Sequence, residues 1–328
     1  LSPMSTVHVA HRSALGAYTK LVAGCTFLLL LAGAMVTSTG SGLAVPDWPL
    51  SFGKVMPAME GGVLYEHGHR MVATFVGALI VIEALWLWRA EPRRWVRVLG
   101  WLALAGVSVQ GALGGMTVLL RLPDAVSISH AGLAELVFGL TVAIAVARSR
   151  SWLEDGAAET VDADVPALSS LATVACAAIF LQILIGAVVR HTGAGLAIPT
   201  FPLAFGRIVP PLGSFPVAIH FAHRVGALAV ALIVAWVAVR ALRRHRELPR
   251  VVRPALLLLV LLVLQIGLGA WVILSYKAAW VTSAHLGTGA LLFATGLTLA
   301  LRSRRYVALA PAPAHPPIRP YREPAGAL

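Results

Sequence analysis

Charge is scarce in this sequence. Asp, Glu, Lys and Arg supply only 12% of its 328 residues and only 14 of them are acidic, while mean hydropathy stands at +0.82. An ordinary soluble domain carries about 25% charged residues, so a freely soluble globular chain is excluded. Cysteine is almost absent. Cys25 and Cys176 are the only two, and both fall inside apolar runs, which excludes a loop disulfide and a cysteine-based metal centre.

What is present instead is a series of apolar stretches. A membrane-crossing helix needs roughly 20 mainly apolar residues, and the chain offers eight such stretches, at 19–38, 67–88, 98–120, 126–147, 169–189, 218–241, 254–275 and 281–301. The first is followed by further spans and lacks a convincing small-residue cleavage site, so it reads as a retained helix rather than a signal peptide. The fold class expected is therefore an all-α polytopic membrane protein.

The net charge of +12 could suggest a nucleic-acid binder, but its placement argues against one. Arg89, Arg93, Arg94 and Arg97 follow the second span, Arg148 and Arg150 the fourth, six arginines between 240 and 253 the sixth, and Arg302, Arg304 and Arg305 the eighth. Those are alternate loops, and the positive-inside rule then puts both termini in the cytoplasm of a cell with this chain in its plasma membrane. The stretch 154–166 reads as an acidic cytoplasmic linker, and the Pro-rich tail from Ala310 reads as disordered.

The two sides of the linker repeat each other. Gly40-Ser-Gly-Leu-Ala-Val-Pro46-Asp-Trp-Pro49-Leu-Ser-Phe-Gly53 returns as Gly193-Ala-Gly-Leu-Ala-Ile-Pro199-Thr-Phe-Pro202-Leu-Ala-Phe-Gly206. Gln110, Leu113 and Gly114 return as Gln265, Leu268 and Gly269, His69-Arg70 as His223-Arg224, and His130 as His285. Each half starts on the same side and has an even number of spans. The expectation is two tandem four-helix bundles, residues 1–150 and 169–303, related by a pseudo-two-fold axis along the membrane normal, with a linker at 151–168 and a tail at 304–328.

The recurrent histidines carry the chemistry. His69, His130, His223 and His285 each open an even-numbered span just after an outer loop, so all four belong at the outer end of the bundle. Ionisable groups at membrane depth are expensive and usually face a partner inside the bundle. Two imidazoles per half suit an iron clamped from both faces of a flat porphyrin. Zinc is the competing metal, but its ligands converge on one tetrahedral centre, which two separated pairs do not readily do. His67, His191 and His220 do not recur as histidines, though they lie close enough to tune the site, and His8, His11, His245 and His315 read as solvated.

Several of these patterns together resemble the heme A synthase family. Glu66-His-Gly-His69-Arg70 is similar to that family's Glu-x-x-His-Arg motif, and Thr39-Gly-Ser-Gly-Leu-Ala-Val-Pro-Asp-Trp-Pro49 to its first outer loop. The resemblance runs from about residue 19 to about residue 301. It implies an oxidoreductase that converts heme O to heme A by oxidising the C8 methyl group to a formyl group, for terminal oxidase assembly, with heme b as a second, resident heme. It also implies a heme O synthase upstream and a separate electron donor as partners, and leaves a homo-oligomer open. Some bacterial members carry a cysteine pair in the first outer loop. Here Ala44 and Ser51 stand at those positions.

Asymmetry between the halves suggests a division of labour. Glu66 faces His220 in the repeat, and Asp47 faces Thr200. Glu66 lies one helical turn before His69 on the same face, so the expectation is that His69 and His130 bind substrate heme O, with Glu66 catalytic in handling protons or stabilising positive charge, and that His223 and His285 hold heme b. An anion favoured at a helix N-terminus is the simpler account of Glu66. Arg70 and Arg224 are suited to heme propionates, or alternatively to anchoring at the interface. A di-heme b-type electron carrier would use the same ligands, and a heme or small-molecule transporter would fit the parallel repeats. Glu83 and Glu135 are the nearest candidates for a mid-membrane binding residue.

Overall fold

The computed structural model describes residues 3–154 and 160–309. It is an all-α polytopic membrane protein. Among the described residues, eight helices are long and apolar enough to cross a membrane: α1 (Pro3–Ser38, of which Ala14–Ser38 is apolar), α2 (Gly62–Ala90), α3 (Arg94–Leu119), α4 (Asp124–Ala147), α6 (Leu168–His191), α7 (Phe215–Arg244), α8 (Pro249–Leu274) and α9 (Ala279–Tyr306). Most spans run several residues beyond the apolar stretches that announce them. Their ends carry residues such as Tyr65, Trp95 and Arg244, which suit the membrane interface and score poorly as hydrocarbon.

The helix ends obey local chemistry. Gly40 and Gly193, each at φ +70°, stop α1 and α6 in a left-handed turn that β-carbons resist. Prolines at the first turns of α7 and α8 cost no hydrogen bond there.

Two hydrophobic clusters form, one within each set of four helices. Val22, Val76, Ile80, Val96, Ala103 and Ile144 belong to the first, and Leu171, Val234, Val237, Val251, Leu258 and Leu299 to the second. The seam between them runs through α1, α4, α6 and α9 and is lined by glycines. Gly132 of α4 lies under Leu184 of α6, Gly139 of α4 under Phe293 of α9, and Gly287 of α9 under Leu31 of α1. Lipid offers no hydrophobic drive for helix pairing, so such small residues gain their attraction by letting backbones approach. Arg190 of α6 crosses the seam to the Ala34 carbonyl at 2.7 Å and Ser38 Oγ at 2.8 Å, and Ser283 donates to Ser38 at 3.0 Å.

The end of the molecule away from the four histidines differs from the sequence expectation. The linker is not uniformly irregular: α5 (Arg150–Glu154) and a short strand β1 (Thr160–Asp162) lie within it, and β1 pairs in parallel with β2 (Val307–Leu309). Residues 304–309, expected to belong to the tail, therefore complete α9 and this strand pair. Residues 155–159, the tail from 310 and His315 lie outside the described residues, as do the side chains of His8 and His11. His245 is a correction. It is buried, not solvated, because β1 covers it: Nε2 lies 3.8 Å from Asp162 and Nδ1 3.5 Å from Thr160 Oγ1. Burial holds its imidazole below the ordinary value, against the opposing pull of Asp162. Glu91 sits fully buried at this end between Arg93 (2.7 Å) and Arg148 (2.7 Å). Burial alone would push its carboxyl up, but the hydrogen bonds from the two arginines hold it at about 2.

Candidate functional site

Each of the four recurrent histidines lies in a cradle of the same design. A β-carbon built on Gly33 of α1 would stand 3.0 Å from His69 Cε1, on Gly114 of α3 3.2 Å from His130 Cε1, on Gly186 of α6 3.0 Å from His223 Cε1, and on Gly269 of α8 3.1 Å from His285 Cε1. The glycine sits on the helix preceding the histidine, so every imidazole is seated edge-on against the backbone of its own helical hairpin.

A glutamine one turn before the glycine secures three of the four. Gln110 Nε2 lies 3.3 Å from His130 Nε2 and donates to the His130 carbonyl at 2.9 Å, and Gln265 Nε2 lies 3.5 Å from His285 Nε2. Gln182 Nε2 donates to His223 Nδ1 at 2.9 Å and to its carbonyl at 2.7 Å. At the equivalent place before Gly33 stands Leu29, so His69 alone lacks this support. The repeat of Gln110 and Gly114 is visible in the sequence, but Gln182, Gly186 and Gly33 were missed. The Gln-x-x-x-Gly spacing, which puts both residues on one helix face, is the signal that finds them.

His223 and His285 lie as a close pair. Their rings meet in an edge-on, T-shaped arrangement with centroids 6.5 Å apart and planes at 73°. Two imidazoles sharing one metal at about 2 Å per bond would have centroids roughly 6 Å apart, so the spacing of this pair would suit a metal held between them. His69 and His130 lie within electrostatic reach of each other. Among the described residues the Nδ1 atoms of His69, His130 and His285 are buried without a hydrogen-bond partner, a costly state that a bound ligand would relieve. Among the described residues, no three His, Cys, Asp or Glu side chains gather as a bare-metal site. Paired imidazoles in an apolar surround fit the iron of a flat macrocycle.

The two long loops at the histidine end of the molecule fold alike. In each, a short bridge (Ser51 with Lys54, Ala204 with Arg207) closes around a left-handed pair of residues, Phe52-Gly53 or Phe205-Gly206. Asp47 accepts from the backbone N–H groups of Phe52 (2.7 Å) and Gly53 (2.8 Å), and those of Gly53 and Phe52 hold its carboxyl below the usual range. Thr200 Oγ1 accepts from Phe205 N–H at 2.9 Å. Asp47 and Thr200 thus cap the same turn.

Glu66 and His220 are likewise equivalent in structure. Glu66 Oε2 accepts from Val45 N–H at 2.8 Å, and His220 Nδ1 from Ile198 N–H at 3.3 Å. Val45 and Ile198 are wholly buried plugs. The difference between the halves is charge, since Glu66 Oε1 also pairs with Arg70 at 2.6 Å. Arg70 extends to the carbonyls of Asp47 (2.8 Å) and Leu50 (3.0 Å), whereas Arg224 donates Nη2 to the carbonyls of Ile198 (2.9 Å) and Thr200 (2.8 Å) and leaves Nε and Nη1 buried without a hydrogen-bond partner among the described residues. Trp48 closes the first loop by lying on Gly115, whose β-carbon would stand 2.8 Å from the indole.

The remaining histidines serve these surroundings. His67 Nδ1 lies 2.8 Å from Ser51 Oγ, so the serine and the imidazole share a hydrogen bond. His191, at the end of α6, lies within electrostatic reach of His130.

Comparison with known proteins decides the family. Residues 59–297 match the cytochrome oxidase assembly protein family (COX15-CtaA). This chain belongs to that family. Among curated members, the heme A synthase of Symbiobacterium thermophilum is 34% identical over 269 residues, covering 79% of this chain and 86% of that protein. That of Halalkalibacterium halodurans is 30% identical over 279 residues (82% and 90%), and that of Shouchella clausii 31% over 256 residues (76% and 84%). The cytochrome oxidase assembly family match begins just before α2 and ends within α9, so it takes in all four cradled histidines.

Proposed function

We propose that this chain is a heme A synthase, oxidising the C8 methyl group of heme O to a formyl group and so supplying heme A for terminal oxidase assembly. The observation that carries this reading is the set of four glycine-cradled histidines, arranged as two pairs, in a chain that aligns along most of its length with proteins of that name. The N-terminal half takes the substrate heme between His69 and His130, and the C-terminal half holds a resident heme b between His223 and His285. Bound heme supplies the electron-transfer chemistry.

The residues of the chain position and shield it. The Val45 and Ile198 plugs and the folded loops keep water from the outer ends of the pairs, which strengthens every charge interaction inside. Glu66, fixed by Arg70 and Val45 N–H, stands one turn from His69 as the negative charge that the second half lacks, and it stabilises positive charge arising at the substrate edge. His69, with Leu29 in place of a glutamine, is the least restrained of the four imidazoles. Arg224 offers two unpartnered nitrogens to a propionate in two-point geometry. Arg70 meets a propionate only by sharing a guanidinium already engaged with Glu66 and the loop. Heme O synthase acts upstream, a separate protein donates electrons, and positive-inside charge places both termini in the cytoplasm and the heme sites toward the outer face of the plasma membrane.

The test is co-expression with a heme O synthase in a host that makes no heme A, followed by extraction and mass determination of the hemes. Heme A is the expected product. Heme O left unconverted, with heme b retained in the purified protein, would instead identify a di-heme electron carrier.

A further inference from the structure

At the end of the bundle away from the histidines, α8 and α9 leave a groove of about 270 Å³ between them. Its origin lies in one residue. Pro254 has no N–H, so the Arg250 carbonyl one turn earlier loses its helical partner, and Arg302 of α9 donates Nη1 to it at 3.2 Å. That contact draws Arg302 against α8, where it lines the groove with Arg253, Thr295 and Thr298. The site is some 17 residues, roughly 25 Å of helix, from His285, and is separate from the heme sites.

Charge at this groove is unbalanced. Elsewhere at the same end, Arg93 and Arg148 share the Glu91 carboxylate, and Arg240 pairs with Asp162 and Asp164. No acidic residue lines the groove, and Arg253 and Arg302 have no carboxylate partner among the described residues. Arg250 lies close enough to add to the same field. The counterparts of Arg253 and Arg302 in the first half are Val98 and Ala147, so the feature is not part of the repeat.

From Arg253 an apolar stripe runs along one face of α8 through Leu257, Val260 and Leu264, all exposed. The spacing of four, three and four residues keeps them in line. A cationic head site continuous with an exposed apolar track matches one chemistry. We propose that this groove is a binding site for an anionic phospholipid, its phosphate between Arg253 and Arg302 and an acyl chain along Leu257, Val260 and Leu264.

The test uses native mass spectrometry of the full chain in detergent, titrated with phosphatidylglycerol, with phosphatidylcholine of the same acyl chains, and with inorganic phosphate. Each arginine near an anionic headgroup is expected to contribute roughly fivefold in affinity, about 25-fold for the pair. Phosphatidylglycerol should therefore be retained over phosphatidylcholine by about that factor. R253Q/R302Q should abolish the preference, R253Q alone, which leaves the Arg250 carbonyl satisfied, should reduce it roughly fivefold, and R243Q, at an exposed arginine outside the groove, should preserve it. Equal retention of the two lipids, an equal loss in R243Q, or displacement of phosphatidylglycerol by millimolar phosphate would overturn the proposal.

Discussion

Adding one methyl group should separate a histidine cradle from ordinary helix packing. In Gly269→Ala the new β-carbon would stand 3.1 Å from His285 Cε1, 3.6 Å from Nδ1 and 4.0 Å from Nε2. Carbon atoms pack at about 3.5–4.0 Å, so the ring must retreat by roughly half an ångström from a position it shares with His223. Forcing extra volume into a packed site costs about 1–3 kcal/mol, or roughly 5- to 150-fold in the retention of a ligand held by that pair. The helix itself gains, because alanine is about 1 kcal/mol better than glycine in a helix interior. Gly267→Ala is the matched control, for its β-carbon meets nothing within 4 Å. Both variants would be purified and their heme b per polypeptide measured from the reduced pyridine hemochrome spectrum. G269A should lose heme b while G267A keeps it. Full heme b in G269A, or equal losses in both, would refute the cradle argument.

Three further outcomes are expected. Glu66→His copies the residue that the second half uses at this place, so it should keep the loop anchored and heme b in place but abolish heme A formation in the co-expression assay; loss of heme b with heme A formation intact would contradict the assignment. Glu91→Gln breaks a buried ion network, at a cost of about 3–5 kcal/mol, and thermal unfolding at neutral pH should shift down by several degrees. Because the Glu91 carboxyl is held at about 2 against an ordinary 4.5, its contribution is complete above the ordinary value and is lost as pH falls toward 2, so wild-type stability should decline across that window and E91Q should decline less. Arg190→Ala removes two hydrogen bonds across the seam and should lower the unfolding midpoint measured by nanoscale fluorimetry; an unchanged midpoint would mean that the glycine-lined contacts alone hold the seam.

Much of this architecture was legible in the sequence because lipid imposes a simple code. Eight apolar runs give eight helices, and a repeated loop motif gives two loops with the same bridge and the same capped turn. The ends of the helices were less legible, since interfacial residues such as Tyr65 and Trp95 belong to a helix without being hydrophobic enough to declare it. His245 was misread because a three-residue strand, too short to show any periodicity, buries it. Glu66 and His220 look unrelated as residue types, yet both accept the N–H of a buried plug residue, an equivalence of acceptor geometry that letters conceal. Gly33 and Gly186, beneath His69 and His223, escaped for a similar reason. A glycine inside an apolar helix reads as ordinary packing until the ring resting on it is seen.

Every glycine cradle lies within a single hairpin, whereas each histidine pair spans two hairpins, α1–α2 with α3–α4 and α6–α7 with α8–α9. An imidazole is therefore oriented locally, before its opposite number is in place, and a ligand held by a pair fastens two separately formed hairpins together. Occupancy then becomes a term in assembly as well as in catalysis, because whatever binds only the docked hairpins stabilises them by mass action. The first pair is complete once α4 has been made, so the amino-terminal pocket can close before the carboxy-terminal one exists.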